Sequence, residues 1–264
     1  MGQLFGREVM TIEEPDWTKY ADKVYDWIQE AYARVYDSQE QMSADQSKAG
    51  MAASYCLLAA HDYLEIAFFA FHKKLYHPGM ACLRPVAEMA ITFLWCTFSV
   101  DDYVDRLCRW AKEFFDKSKK TYERLERWAM DEQDRKAFEK RKEEWEKSHE
   151  KISLGLAGNW PSLLNMLEEI DRRRGEGMDY QALYPMLYSP LCGSAHGVLV
   201  LDRYFTPSGS AIGRRQHAPM PPDAPWASLT AIVYLIVGIY KFFGWEYSEF
   251  LNEYKQMLGS SDAS

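Results

Sequence analysis

The sequence predicts an all-α protein, a multi-helix bundle from which a long charged helix or helical hairpin projects. Apolar residues recur at helical spacing through most of the chain, and no run alternates with the period of two that marks a strand. Gly and Pro, 15 and 11 of 264 residues, are too few for a turn-rich β protein. An apolar fraction of 47% and an aromatic fraction of 15% supply a core and exclude general disorder.

Pro15 and Asp16 open the first helix, on which Trp17, Tyr20, Val24, Trp27, Ile28, Ala31 and Val35 share a face. The polar stretch 37–48 breaks it. A second helix is expected from about Ser43 to Leu75, apolar almost all round in its second half, with Pro78 and Gly79 making the turn. A third, Met80 to Phe98, is again apolar on most faces and carries Pro85 as a kink. Helices of this kind belong at the centre of a bundle. More than half of residues 101–150 are charged, with the signs nearly balanced, and Trp110, Phe114, Leu125, Trp128, Phe138 and Trp145 form a thin apolar seam. That composition reads as a solvated helix with i,i+4 ion pairs, or as a partner-binding or dimerisation arm. Shorter helices follow at about Ser162–Arg174, Tyr180–Tyr188 and Leu191–Tyr204. Arg172, Arg173 and Arg174 before Gly175 suit a helix C-terminus, with phosphate binding as the alternative. Residues 206–225, rich in Pro, Gly and Ser, read as a loop, and the last helices run from Trp226 to Phe243 and Glu246 to Met257. The chain thus divides into an N-terminal helix (1–42), a bundle core (43–258) holding the charged insertion 101–150 and the loop 206–225, and a disordered tail (259–264).

Thirty-one Lys and Arg against 39 Asp and Glu give a formal charge of −8, which argues against a broad nucleic-acid-coating surface while leaving room for a local basic site. A mean hydropathy of −0.41 argues against a polytopic membrane protein. The stretch Ala224–Trp245 reads as a buried helix rather than a membrane span, because no basic cluster flanks it. The first residues lack the basic and apolar regions of a signal peptide. Five scattered cysteines, Cys56, Cys82, Cys96, Cys108 and Cys192, without a CxxC, read as reduced core thiols. These features place the protein in the cytoplasm.

Phosphate-cradling glycine motifs, a nucleophile elbow and H-E-x-x-H are absent from the sequence. The single Glu-x-x-His, Glu146 to His149, lies in the charged segment, whereas a di-iron bundle needs two. His61 and Glu65 share a face of the second helix and are weak metal candidates; the competing reading is a histidine bonded to a neighbouring carboxylate. No cofactor is expected.

The candidate site is polar chemistry set in apolar sequence. Arg84 and Glu88 stand in ACLRPVAEMAITFLW, four apart on one helix face and expected in or near the core. Buried charges need partners. Arg before Glu is the weaker order for helix support, so partners from other helices are expected. The second half is Tyr188-x-x-x-Cys192-x-x-x-His196-Gly197, with Arg203 two turns on from His196. His196 is flanked by small and aliphatic residues, so burial and a carboxylate such as Glu88 would pull its pKa in opposite directions.

This pair of motifs resembles an uncharacterised family of bacterial helical proteins that share Arg-x3-Glu on one core helix and Tyr-x3-Ser-x3-His, often followed by Gly, on a later one. The likeness covers roughly residues 45–245, with Cys192 standing where the family usually has Ser. A more distant similarity is to HEPN domains, helical bundles of toxin–antitoxin and phage-defence systems. Some of these are metal-independent ribonucleases that use an Arg and a His with four to six residues between them. Here those positions hold Leu191, Pro190 and Ser189, so Arg84 or Arg203 would have to serve through tertiary contact.

Two readings follow. In the first the chain is a sensor, regulator or assembly module with a structural Arg84/Glu88/His196 network and a protein partner or second copy. In the second it is a HEPN-like ribonuclease. His196 would be the general acid/base, Arg84 or Arg203 would stabilise phosphoryl charge, Glu88 would orient one of them, and Tyr188 would stand beside them. A metal-dependent enzyme using His61, Glu65, Glu88 and His196 is a third.

Overall fold

The computed structural model describes residues 16–99, 101–113, 132–149, 160–174, 180–188, 191, 205–208, 211–214 and 224–259. Helix α1 (Trp17–Asp37) begins where Asp16 accepts hydrogen bonds from the backbone of Thr18 and Lys19, and it buries the seven residues that its periodicity selects. After a 3-10 turn at Gln39–Gln41, α2 (Ala44–His72) starts from a capping box in which Ser43 and Gln46 satisfy each other's backbone. Helix α3 (Tyr76–Thr97) follows.

The turn between α2 and α3 is not at Pro78-Gly79, as the sequence suggested. It lies at Lys73–Leu75. Lys74 adopts a left-handed conformation (φ 58°), and the Leu75 N–H reaches back to the Ala70 carbonyl at 2.8 Å, which closes α2 with a Schellman cap built without glycine. Pro78 and Gly79 fall instead in the first turn of α3, where proline loses no helical hydrogen bond. Gly79 is there for space: a Cβ would stand 2.4 Å from Cε1 of Phe71.

Helix α3 runs through the centre of the bundle. It packs on α2, on α6 (Leu163–Arg174) and on α7 (Ala224–Phe243), and α1 covers the far side of α2. One core joins α1, α2, α3 and α7; a second joins the C-terminal half of α3 to α6 and Leu107. The charged insertion contains a short helix, α4 (103–113), and α5 (Glu132–His149). The described side chains of α5 are exposed, and Glu132 pairs with Lys136 in the favourable i,i+4 order, as a solvated helix should. Gly244 (φ 71°) ends α7, and α8 (Ser248–Gly259) returns along α1 and α7.

Part of the expected loop 206–225 is a small antiparallel hairpin, β1 (Phe205–Ser208) with β2 (Ala211–Arg214), pairing Phe205 with Arg214. Segments this short, one with Pro207 and one with Gly213, lack the alternation that would have revealed them. Gly259 closes α8 rather than opening a tail, and 260–264 lie outside the described residues. Tyr76–Thr97 and Trp226–Phe243 are long and apolar enough to cross a membrane, but two-thirds of each is buried within the bundle. Cys56 and Cys96 are buried, and burial pushes both thiols far above their ordinary pKa; Cys82 and Cys108 are only half-buried, and Cys192 is outside the described residues.

Gly79→Ala should lower stability by about 1–3 kcal/mol, because Phe71 must leave its site against Trp17. Urea denaturation measures it. A midpoint equal to wild type would show that the α2–α3 contact is looser than described.

Candidate functional site

Arg84, Pro85, Glu88 and Met89 belong, with Pro78, Ala81 and Cys82, to the strip of α3 that its neighbours leave partly open. Arg84 Nε donates to Glu88 Oε1 at 2.8 Å. Tyr188, the last residue of a π-helical turn (Tyr184–Tyr188), donates its hydroxyl to the same oxygen at 2.8 Å. The Arg84 guanidinium stands 5.6 Å from the Tyr188 ring centre. The sequence expectation of a cross-helix partner is thereby met by Tyr188.

Of the expectation that the pair lies in or near the core, only nearness holds. Arg84 and Glu88 side chains are 28% and 39% exposed. They lie on the floor of a cleft of about 510 Å³. Tyr55 and Tyr63 of α2 form one wall, and Trp110 and Glu113 of α4 another. Trp160, Ser162 and Tyr188 complete it. The flanking apolar residues that suggested burial belong to the other faces of α3. Half-exposed pairs of this kind contribute about 0–1 kcal/mol, and the Arg-before-Glu order is the weaker one. Stability alone does not account for the network.

His196, Arg203 and Cys192 lie outside the described residues. His61 is not in the cleft: its ring packs on Tyr25 at 4.9 Å, and Nδ1 is 3.6 Å from Asp62 Oδ1. Burial, helped by the nearby Glu65 and Asp22 carboxylates, pushes the Tyr25 hydroxyl up to about 12. Among the described residues no group of three or more His, Cys, Asp or Glu gathers to hold a metal. The side chains of Glu146 and His149 are outside the described set.

A second polar network escaped the sequence reading. Arg106 of α4, 8% exposed, pairs with Glu169 of α6 at 2.9 Å and donates to the Trp95 carbonyl at 2.9 Å. Its guanidinium lies over the rings of Trp95 (4.4 Å) and Phe98 (4.6 Å). Trp95 Nε1 donates to Glu169 Oε2 at 2.7 Å. Arg173 reaches Glu169 at 3.1 Å and Asp102 at 3.4 Å. One residue of the arginine run is thus part of a structural clasp. Arg106 was hidden because it sits in a segment where more than one residue in four is also basic; only the apolar Trp95 and Leu107 nearby hinted at burial.

Residues 51–211 match a family of unknown function, DUF5677. The chain belongs to that family. No curated protein and no solved structure matches it. The family's span takes in Arg84, Glu88 and Tyr188, and also both halves of the Arg106–Glu169 pair.

The two networks should separate in a stability assay. Arg106→Ala leaves Glu169 short of its partner and should cost about 3 kcal/mol, whereas Glu88→Gln should cost less than about 1 kcal/mol. Equal losses in urea denaturation would contradict the assignment of one as clasp and the other as open site. Burial opposes ionisation of Glu169, but the Trp95 N–H and Arg106 outweigh it and hold the carboxyl below its ordinary 4.5. Its contribution is complete above that ordinary value and fades as pH falls through the lower folded value. Melting temperature against pH should therefore drop less steeply below 4.5 in Glu169→Gln than in wild type.

Proposed function

We propose that this protein is a ligand-responsive regulatory or sensor module, and that the cleft over Arg84, Glu88 and Tyr188 recognises a planar nitrogen heterocycle that is neutral or cationic. The observation that carries the reading is the partly open position of a network that adds little to stability. Tyr55, Tyr63, Trp110 and Trp160 offer faces and edges for stacking. The two hydrogen bonds described for Glu88 both end on Oε1, so its charge is directed toward Arg84 and Tyr188 while Oε2 remains an acceptor for a ligand N–H. Glu88 lies against Arg84 and neutralises it within the cleft, which disfavours phosphate groups.

Calorimetric titration with adenine, nicotinamide, AMP and inorganic phosphate tests this. The expected result is binding of a neutral heterocycle with Kd below about 1 mM, weakened at least about tenfold in Glu88→Gln. Binding of the phosphate-bearing ligands alone, or of none, would overturn it.

A HEPN-like ribonuclease is the second reading. Its support is that Tyr188, eight residues before His196 in the sequence, lines an open cleft. Metal-free cleavage of mixed RNA by wild type, absent in His196→Ala, is its expected outcome; cleavage equal in the two proteins would remove His196 from the chemistry.

A further inference from the structure

Helix α2 is apolar nearly all round in its second half, yet the bundle covers only part of it. Helices α1 and α3 take two sides, and the remaining side carries Met51, Tyr55, Leu58, Ile66 and Phe69, each 53 to 63% exposed. Steps of four, three, eight and three residues keep all five within one sector of the helix, a stripe about 27 Å long. Asp62, whose side chain is 82% exposed, interrupts it midway between Leu58 and Ile66, and the exposed Glu65 borders it. With aromatic side chains covering roughly 150–250 Å² each, the five expose about 600 Å². That is the upper end of what a monomer carries, and Tyr63 with the stems of Glu65 and Lys73 brings it near the 800 Å² or so that each partner contributes to a standard interface.

We infer that this face of α2 is the interface between two copies of the chain, packed antiparallel about a two-fold axis at Asp62. Four of its five residues pair off about that point. Leu58, four residues before Asp62, meets Ile66 of the partner subunit, four residues after it. Tyr55, seven before, meets Phe69 of the partner subunit, seven after. A two-fold interface must match itself in this way, whereas an unrelated partner imposes no such symmetry. Tyr55 also lines the cleft, so the second copy stands at the cleft's rim. The cost of the arrangement is the pair of Asp62 carboxylates near the axis, each with its own His61 at 3.6 Å.

Light scattering after size exclusion and sedimentation velocity test the interface, with the full chain at about 50 μM, well above a micromolar Kd. The expected wild-type mass is twice 30.8 kDa. Leu58→Glu and Phe69→Glu should each give monomers with unchanged helical circular dichroism, since both side chains are more than half exposed. Tyr36→Glu, equally exposed but on α1, should remain dimeric. Asp62→Asn should tighten the dimer. A monomeric wild type, a dimer indifferent to both α2 substitutions, or one weakened by Asp62→Asn would overturn the proposal.

Discussion

The structure depends on the burial of α3. Fifteen of its 22 residues are buried, so it needs neighbours on nearly every side, and α2, α6, α7 and the π-helical turn are arranged to provide them. Close approach sets the residue choice: Gly79 admits the Phe71 ring, and Gly238 of α7 admits the Leu94 side chain of α3. With α3 so enclosed, its remaining open strip is where polar side chains are tolerable. Arg84 and Glu88 occupy that strip, and the cleft above them is the gap that the surrounding helices leave.

Two arginine–glutamate pairs show how surroundings decide what the same chemistry does. Arg106 is taken out of water, Glu169 stays 21% exposed, and the two are satisfied by the Trp95 carbonyl, the Trp95 indole N–H and Arg173. Breaking such a set leaves an uncompensated charge, so it holds α4 and α6 to the end of α3. Arg84 and Glu88 share one oxygen with Tyr188 and remain in contact with solvent, where screening reduces the pair to a small energetic contribution. The first network joins elements; the second presents donors and acceptors.

The outer face of α2 belongs to the same account. A helix that is apolar all round expects burial all round, and the monomer supplies it on only part of the circumference. The exposed remainder adjoins the cleft through Tyr55, which links the surface suited to a second copy with the surface suited to a small molecule.

The sequence by itself determined the helical class, the central placement of α2, α3 and α7, the buried face of α1 and the solvated nature of α5. Each follows from local spacing of apolar and charged residues, which a helix converts directly into faces. It also singled out Arg84, Glu88 and Tyr188. What it misjudged was non-local or conformational. The α2–α3 turn rests on a left-handed Lys74, a role that residue type does not announce, while Pro78 and Gly79 serve packing. The Arg106–Glu169 clasp joins residues 63 apart, and nothing in either neighbourhood names the other. Exposure of the Arg84 strip was decided by where α2, α4 and the 160–163 segment stop short of each other. Periodicity shows that a helix has an apolar face, but only the tertiary arrangement decides which part of that face stays open, because the gap is defined by the neighbours.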